Sequence, residues 1–175
     1  MGRPKALLSY QQETFLDRQI GLLGAVCEEV VVVLGHQAEA IRAGLARAAE
    51  ARFVENPDPE RGMLSSLQAG LADITAQAVL FTPLDYPAVR AETVAALAGR
   101  LREGVPLVVP CHDGRHGHPV GIARRLDEEM LALPAGAQAR DVIHRHTASY
   151  LEVDDAGVLR DVDDPAAYAR LVNDR

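Results

Sequence analysis

Short, continuous apolar runs recur along the chain, and most of them are followed by glycine or proline. The clearest runs are residues 30–34, 78–82 and 105–109, with shorter ones at residues 52–54 and 150–153. A continuous apolar run, as opposed to an alternating one, is typical of a strand that is covered on both faces, as in a parallel sheet. We therefore predict strands at these positions.

Between these runs, apolar residues recur at the spacing of a helix. The stripes fall within residues 15–26, 41–49, 67–74 and 94–101, and residues 163–172 combine an aspartate cap, a proline and a short stripe. Strands that alternate with helices predict right-handed βαβ crossovers. We expect an α/β fold, a three-layer α/β/α sandwich with a mostly parallel Rossmann-like sheet, in one domain over residues 1–175.

Composition and charge narrow the class of function. The 175 residues are 48% hydrophobic and 25% charged, which is typical of a soluble globular domain. A formal net charge of −7 argues against a nucleic-acid partner, which would need a basic surface. No apolar run approaches the ~18 residues that span a bilayer, so we expect no membrane partner. Cys27 and Cys111 are interpreted as reduced thiols of a cytoplasmic protein.

The most distinctive polar residues follow the predicted strands, at the edge where ligands bind in α/β sheets. Asp85 comes just after the run 78–82, between Pro83 and Pro87. A rigid carboxylate there suits a hard cation such as Mg²⁺, which takes one or two protein carboxylates and completes its shell with water and phosphate. The structural alternative is that Asp85 stabilises a turn ahead of the next helix.

Three further groups of residues are candidates for the same edge. Asp161 or Asp163 supplies a second carboxylate, although an aspartate before a proline is also an ordinary helix cap. Ser65 and Ser66, at a predicted helix start, offer hydroxyl and N–H groups to a phosphate or a polar ring edge, or else only cap that helix. From the glycine-containing loop after residue 109 we expect His118 to reach a substrate pocket.

Several common sites are excluded or disfavoured by spacing. Residues 111–118 contain one cysteine, three histidines and one aspartate, but they lack the C-x-x-C spacing of a zinc site. The chain also lacks G-x-x-x-x-G-K-[ST], G-x-G-x-x-G and G-x-S-x-G, which are the signatures of P-loop, dinucleotide and α/β-hydrolase sites.

The first five residues, M-G-R-P-K, bring together a glycine, a proline of fixed φ and a lysine. An element of this kind usually holds phosphate, because the backbone of Gly2 allows close approach and Lys5 carries a compact positive charge. The alternative is that the element has no phosphate-binding role in this chain.

Five motifs, in this order, resemble those of the MobA-like nucleotidyltransferases, and most closely the molybdenum cofactor cytidylyltransferase branch. They are M-G-x-P-K at 1–5, V-V-L-G-H at 32–36, N-P followed by G-M-L-S-S-L within 56–67, G-H-P-V at 117–120 and D-V-D-D-P at 161–165. The resemblance implies a fold of the nucleotide-diphospho-sugar transferase type.

The chain departs from the family pattern at three points. Leu84 stands where the family has the glycine of G-D-x-P, and Asp164 stands where it has a threonine. The family's first strand and glycine-rich loop have no counterpart, and a parallel sheet without that strand would expose an unpaired edge on each side of the gap. We hypothesise that the chain is an N-terminally short version of a protein that has both.

The resemblance implies Mg²⁺-dependent transfer of a nucleotidyl group, with CMP favoured, from a nucleoside triphosphate such as CTP to a phosphorylated acceptor such as molybdopterin, with release of pyrophosphate. A molybdoenzyme would be a further partner. The residues given a role by this resemblance are Lys5 and Asp85 as catalytic groups, Gly2 and Lys5 as nucleotide ligands, Ser65, Ser66 and His118 as substrate ligands, and Asp85, Asp161 and Asp163 as metal ligands.

Two alternatives stay open at this point. One is a non-catalytic cofactor-binding or accessory protein of this fold, which Leu84 and the absent loop favour and which the retention of Lys5 and Asp85 disfavours. The other is the same chemistry on a different phosphorylated acceptor. The sequence decides neither the nucleobase nor the oligomeric state.

Overall fold

The computed structural model describes residues 3–173, in which strands and helices alternate along most of the chain. The strands are β1 (Ser9–Tyr10), β2 (Glu13–Thr14), β3 (Val31–Leu34), β4 (Arg52–Glu55), β5 (Ala78–Phe81), β6 (Leu107–His112), β7 (Arg115–His116), β8 (Val120–Ala123) and β9 (Ser149–Glu152). The helices are α1 (Phe15–Gly24), α2 (Ala38–Ala43), α3 (Met63–Leu71), α4 (Ala91–Arg102), α5 (Arg124–Leu131), α6 (Ala139–Ile143) and α7 (Pro165–Asn173).

The strands that cross the centre of the fold form two separate hydrogen-bonded groups. β3 pairs in parallel with β4. A five-stranded sheet has the order β5-β8-β6-β7, with β9 also paired to β6. Among residues 3–173, β3 and β5 belong to different sheets, so the sheet is interrupted between them. Within the described residues, β3 and β5 therefore each have one edge without a strand partner.

The α/β class and the mostly parallel sheet are confirmed, but the apolar pattern did not predict the two-residue strands β1, β2 and β7 or the four-residue strand β8. β8 runs antiparallel to both β5 and β6, while β9 is parallel to β6. The four residues of β8, V-G-I-A, follow directly on a loop of polar residues and glycine. A run this short, ahead of the charged start of α5, carries little strand signal.

Helices cover both faces of the sheet, as a three-layer sandwich requires. On one face Ile20 of α1 packs with Val32 and Leu34 of β3. On the other face Leu71 of α3 packs in a cluster with Leu126 of α5. No helix in residues 3–173 is long and apolar enough to cross a membrane.

A buried carboxylate fixes the segment that leads into α7. Asp155 is 2% exposed and accepts hydrogen bonds from the Arg90 backbone N–H at 2.9 Å, the Thr93 hydroxyl at 2.7 Å and the Gly157 N–H at 2.9 Å. These bonds join the start of α4 to the turn after β9. They also place the following residues, 160–164, beside the carboxyl end of β5.

We predict that Asp155→Ala lowers the free energy of unfolding by about 2–4 kcal/mol, because three donors lose their acceptor and two of the lost bonds come from buried groups. Urea unfolding of the two proteins measures the difference. The matched control is Asp154→Ala. The side chain of Asp154 is exposed, and the substitution keeps the backbone carbonyl that accepts a hydrogen bond from the Arg90 side chain. An equal loss of unfolding free energy in both variants would contradict the stabilising role of the buried Asp155 carboxylate.

Candidate active site

The ammonium group of Lys5 lies between two carboxylates from distant parts of the chain. Its Nζ is 2.6 Å from Oδ1 of Asp85 and 3.2 Å from Oδ1 of Asp163. Lys5 begins a 3₁₀ turn near the amino end, Asp85 follows β5, and Asp163 precedes α7. The side chains of Lys5 and Asp85 are each 26% exposed, so the pair is partly shielded and open to a ligand.

Backbone pairing sets the position of Asp163. The N–H of Val162 donates to the backbone carbonyl of Asp85 at 2.9 Å. The Val162 side chain is buried with Phe15 and Leu171. Because neighbouring side chains in an extended segment point to opposite sides, burial of Val162 turns both Asp161 and Asp163 outward, and Asp163 is the one that contacts Lys5.

The electrostatics of the cluster keep Lys5 charged. Partial burial acts to lower the pKa of Lys5, but the hydrogen bonds to Asp85 and Asp163 outweigh burial, and the pKa lies above its ordinary value. Lys5 therefore stays protonated throughout the physiological pH range. A permanent positive charge at this position suits the charge of a triphosphate.

The structure places Asp161 differently from Asp163. The charge of Asp161 acts on Tyr86, whose pKa is raised mainly by burial and further by Asp161, Asp85 and Asp163. In the described residues, Asp163 and not Asp161 shares the ammonium of Lys5 with Asp85. The geometry therefore favours Asp163 as the second carboxylate. The spacing of the sequence alone could not decide between Asp161 and Asp163.

Ser65 and Ser66 are both tied to Asn56, the first residue of the N-P motif. The Asn56 side-chain amide donates to Oγ of Ser65 at 2.8 Å and to Oγ of Ser66 at 3.0 Å. Ser65 is buried and donates in turn to the Gly62 carbonyl at 2.8 Å, which fastens the start of α3. Ser66 lines the cavity described below. The ligand role of either serine stays a prediction.

His118 lies partly buried against Tyr86, with 4.7 Å between the ring centroids. Burial lowers the pKa of His118 to about 4, so the imidazole is neutral at pH 7. Its Nδ1 is buried without a hydrogen-bond partner among the residues that the structure describes. His118 is thus a neutral polar group near Asp85, which is consistent with the predicted substrate pocket.

These residues meet at one cavity. It has a volume of about 1710 Å³, and Asp85, Ser66 and His118 are among the residues that line it. The cavity reaches inward between β3 and β5. Gly2, which was predicted to approach phosphate, lies outside the described residues.

The cluster fits a divalent cation only as a partial site. No group of three or more His, Cys, Asp or Glu side chains within residues 3–173 is arranged to hold a metal ion. Two carboxylates, Asp85 and Asp163, nevertheless converge on one cation, the Lys5 ammonium. Mg²⁺ commonly takes one or two protein carboxylates and completes its shell with water and substrate phosphates, so the residues present fit that kind of site.

Two residues of the site received no separate role from the sequence. Asn56 was noted only as part of a motif, although a buried amide after a strand must find partners. Tyr86, next to Asp85, packs against His118. The sequence position of Tyr86, next to Asp85, could have marked it as a site residue. The contact between the rings of Tyr86 and His118 could not be predicted, because it depends on the conformation of the loop that carries His118.

We predict that His118 makes stability fall in acid. Its pKa is lower in the folded protein, about 4, than the ordinary value of about 6.5, so the unfolded state binds more protons between these values. The stability that neutral His118 contributes is fully present above pH 6.5 and is lost as the pH falls towards 4. At pH 4.5 the free energy of unfolding should be lower by about 2–3 kcal/mol.

Urea unfolding at pH 7.5 and pH 4.5 measures this loss. His118→Gln should reduce the difference between the two pH values by about 2 kcal/mol, because it removes the titrating group. His144→Gln, which removes an exposed histidine, is the control and should behave like the parent chain. An unchanged pH dependence in His118→Gln would show that His118 is not held neutral by burial.

Comparison with known proteins identifies the family to which the chain belongs. Residues 1–150 match the family model of the MobA-like NTP transferase domain. The molybdenum cofactor cytidylyltransferase of Escherichia coli (strain K12) is 22% identical over 165 residues, which are 94% of this chain and 85% of that protein. The nicotine blue oxidoreductase of Paenarthrobacter nicotinovorans is 31% identical over 189 residues, covering 98% of this chain and 90% of that protein.

The fold is shared with solved structures. The crystal structure of Rv0371c from Mycobacterium tuberculosis H37Rv superposes with a TM-score of 0.86 at 28% identity, covering 98% of this chain and 90% of that chain. Rv0371c has also been solved in complex with manganese. Since the family model matches most of the chain, the protein belongs to the family of MobA-like NTP transferase domains.

Proposed function

We propose that the whole chain, residues 1–175, works as one nucleotidyltransferase domain that moves a nucleoside monophosphate from a nucleoside triphosphate to a phosphorylated acceptor and releases pyrophosphate. The observation that carries the proposal is the Lys5 ammonium, which lies 3.2 Å from Asp163 and 2.6 Å from Asp85, a residue that follows a strand end and lines the cavity. A fixed cation next to two carboxylates is suited to a metal-bound triphosphate.

The reaction needs little covalent help from the protein. An acceptor phosphate oxygen attacks the α-phosphorus, and the bond to the departing pyrophosphate breaks in line with it. Lys5, which stays protonated, neutralises charge on the α-phosphate and the leaving group. Positioning and charge neutralisation supply most of the rate.

Asp85 and Asp163 would hold the divalent cation. When bound, Mg²⁺ or Mn²⁺ supplies positive charge to the phosphate oxygens and orients them. The manganese complex of Rv0371c supports a metal of this class. Lys5 occupies the space between the two carboxylates, so its ammonium must move from one of them towards phosphate as the substrate enters.

We favour CTP as the donor and molybdopterin as the acceptor, with a molybdoenzyme as the recipient of the product. The name of the Escherichia coli relative, molybdenum cofactor cytidylyltransferase, supports this choice. His118 and Ser66 line the same cavity as Asp85 and are positioned to contact the acceptor or the nucleotide. The neutral imidazole of His118 approaches an anionic phosphate as a hydrogen-bond donor or acceptor, without a charge of its own.

A non-catalytic accessory role is the second candidate, and two observations favour it. Leu84 packs in the apolar core beside the cavity, where the family pattern has glycine. One relative is named an oxidoreductase, so family membership alone does not fix the reaction. Pyrophosphate release decides between the candidates: the chain should release it from CTP or GTP when given Mg²⁺ or Mn²⁺ and molybdopterin, whereas an accessory protein binds the cofactor and releases none.

We predict that Asp85→Asn lowers the rate of pyrophosphate release by about 100-fold or more, since the amide keeps the shape of the side chain but loses its charge. The variant should still fold, as shown by an unchanged circular dichroism spectrum. The control is Asp154→Asn, an exposed carboxylate outside the site, which should keep the parent rate. Full activity of Asp85→Asn would remove Asp85 from the mechanism.

A matched pair of substitutions tests the choice of the second carboxylate. Asp163→Asn should lower turnover by about 100-fold and raise the concentration of metal needed for half-maximal rate, because Asp163 shares the cation position with Asp85. Asp161→Asn should change the rate by only a few-fold, through the weaker electrostatic effect that reaches Tyr86. The reverse order of effects would assign the role to Asp161.

A further inference from the structure

The backbone just before Asp85 is held by one side chain of α1. The side-chain amide nitrogen of Gln19 donates a hydrogen bond to the carbonyl of Pro83 at 3.0 Å and another to the carbonyl of Leu84 at 3.2 Å. A primary amide has two N–H donors, so this single group can serve both carbonyls. The two residues immediately ahead of the proposed metal ligand are thus fixed to α1.

Arg18, the neighbour of Gln19 in α1, holds the backbone on the other side of Asp85. Its Nε donates to the carbonyl of Pro87 at 2.7 Å, and its Nη2 donates to the carbonyl of Val89 at 3.4 Å. Proline has no backbone N–H, so the two prolines that flank Asp85 can accept hydrogen bonds from α1 but cannot donate them. Asp85 therefore lies between two points at which α1 binds the backbone.

Gln19 is a polar side chain in an apolar setting. It is 8% exposed, and Leu16 and Ile20 of the same helix are buried as well. Burial of an amide is unfavourable unless its polar atoms find partners, and the partners here are the carbonyls of Pro83 and Leu84. An apolar residue could fill the same space in α1, so what the amide adds is its pair of bonds to the segment before Asp85.

Two further contacts constrain the same segment. The carbonyl of Asp85 accepts a hydrogen bond from the N–H of Val162 at 2.9 Å. The side chain of Leu84 packs against the core cluster that contains Ile20. A glycine in place of Leu84 would have no side chain to pack and would leave the backbone freer. The direction of the Asp85 side chain therefore depends on how firmly Leu84 is held, and Gln19 holds its carbonyl.

We propose that Gln19 is a positioning residue for Asp85. By binding the carbonyls of Pro83 and Leu84, it sets the direction in which the Asp85 carboxylate points and so strengthens the hold of that carboxylate on a divalent cation. Side chains that orient a metal ligand from behind typically change metal affinity by about 10- to 100-fold when they are removed. The inference rests on the proposed function, because it requires Asp85 to be a metal ligand.

Binding of Mn²⁺ to the 175-residue chain, followed by the loss of the EPR signal of the free ion, tests the proposal. Gln19→Met keeps a side chain of similar length but loses both donors, so we expect the dissociation constant for Mn²⁺ to rise by about 10-fold or more. Gln19→Asn, whose amide is one methylene closer to the helix, should weaken Mn²⁺ binding in the same direction. This second variant decides the question if Gln19→Met does not fold.

Gln68 of α3 supplies a matched control. Its side-chain amide donates to the carbonyls of Met130 and Leu133 at 3.0 Å each, at the carboxyl end of α5. Gln68→Met therefore removes the same kind of bonds between a helix and a backbone segment, but that segment carries none of the proposed site residues. We expect Gln68→Met to leave the dissociation constant for Mn²⁺ unchanged, even where it costs as much stability as Gln19→Met.

Amide hydrogen exchange, measured by NMR, gives a second readout that needs no metal. The N–H of Val162 donates to the carbonyl of Asp85, so its exchange rate reports how firmly the backbone of Asp85 is held. In Gln19→Met this amide should exchange about 10-fold faster or more than in the parent chain. The N–H of Val153, which donates to the carbonyl of Cys111 at 2.8 Å, is the internal reference for any loss of global stability.

The outcomes separate this proposal from the proposed function. Weaker Mn²⁺ binding together with faster exchange of the Val162 amide, in Gln19→Met and not in Gln68→Met, would support the positioning role. Unchanged exchange of Val162 in Gln19→Met, or an equal loss of Mn²⁺ affinity in the two glutamine variants, would overturn it and leave the metal site intact. Equal binding of Mn²⁺ by the parent chain and Asp85→Asn would instead overturn the metal site itself, and the positioning role with it.

Discussion

The ammonium group of Lys5 connects the beginning, the middle and the end of the chain. Through Asp85 it contacts the turn after β5, and through Asp163 it contacts the segment before α7. Without that cation, the two carboxylates would face each other at short range, and like charges so placed oppose ionisation. The same need for a cation between them supports the proposed site for a metal-bound triphosphate, so one interaction underlies both the local structure and the proposed chemistry.

Hydrogen bonds hold the segments that carry the two aspartates of this cluster. The buried carboxylate of Asp155 fixes the turn after β9, and the hydrogen bond from Val162 to Asp85 aligns the next residues with the end of β5. The site therefore lies on a rigid edge. Residues of β3 and β5, which belong to different sheets, line the same cavity as Asp85, so the chemical groups and the interruption of the sheet share one cavity.

Much of the fold could be predicted because continuous apolar runs and helical stripes are strong local signals. Phe15 does begin a helix, and residues 78–81 do form a strand. β8 was missed because its antiparallel position depends on partners far along the chain. Asp85 followed from its place after a strand, but the choice of Asp163 over Asp161 depends on which side chain reaches Lys5 once Val162 pairs with Asp85, and no spacing rule contains that contact. Likewise, the burial of Ser65 by Asn56 is a tertiary contact.

We propose that Lys5, Asp85 and Asp163 form a site for a nucleoside triphosphate with its metal. Calorimetric titration of the chain with CTP, GTP and ATP, each with and without Mg²⁺, tests it most directly. The account predicts that one nucleotide binds only when Mg²⁺ is present, and that Asp85→Asn abolishes this binding. Nucleotide binding that is independent of Mg²⁺ and unchanged in Asp85→Asn would contradict it.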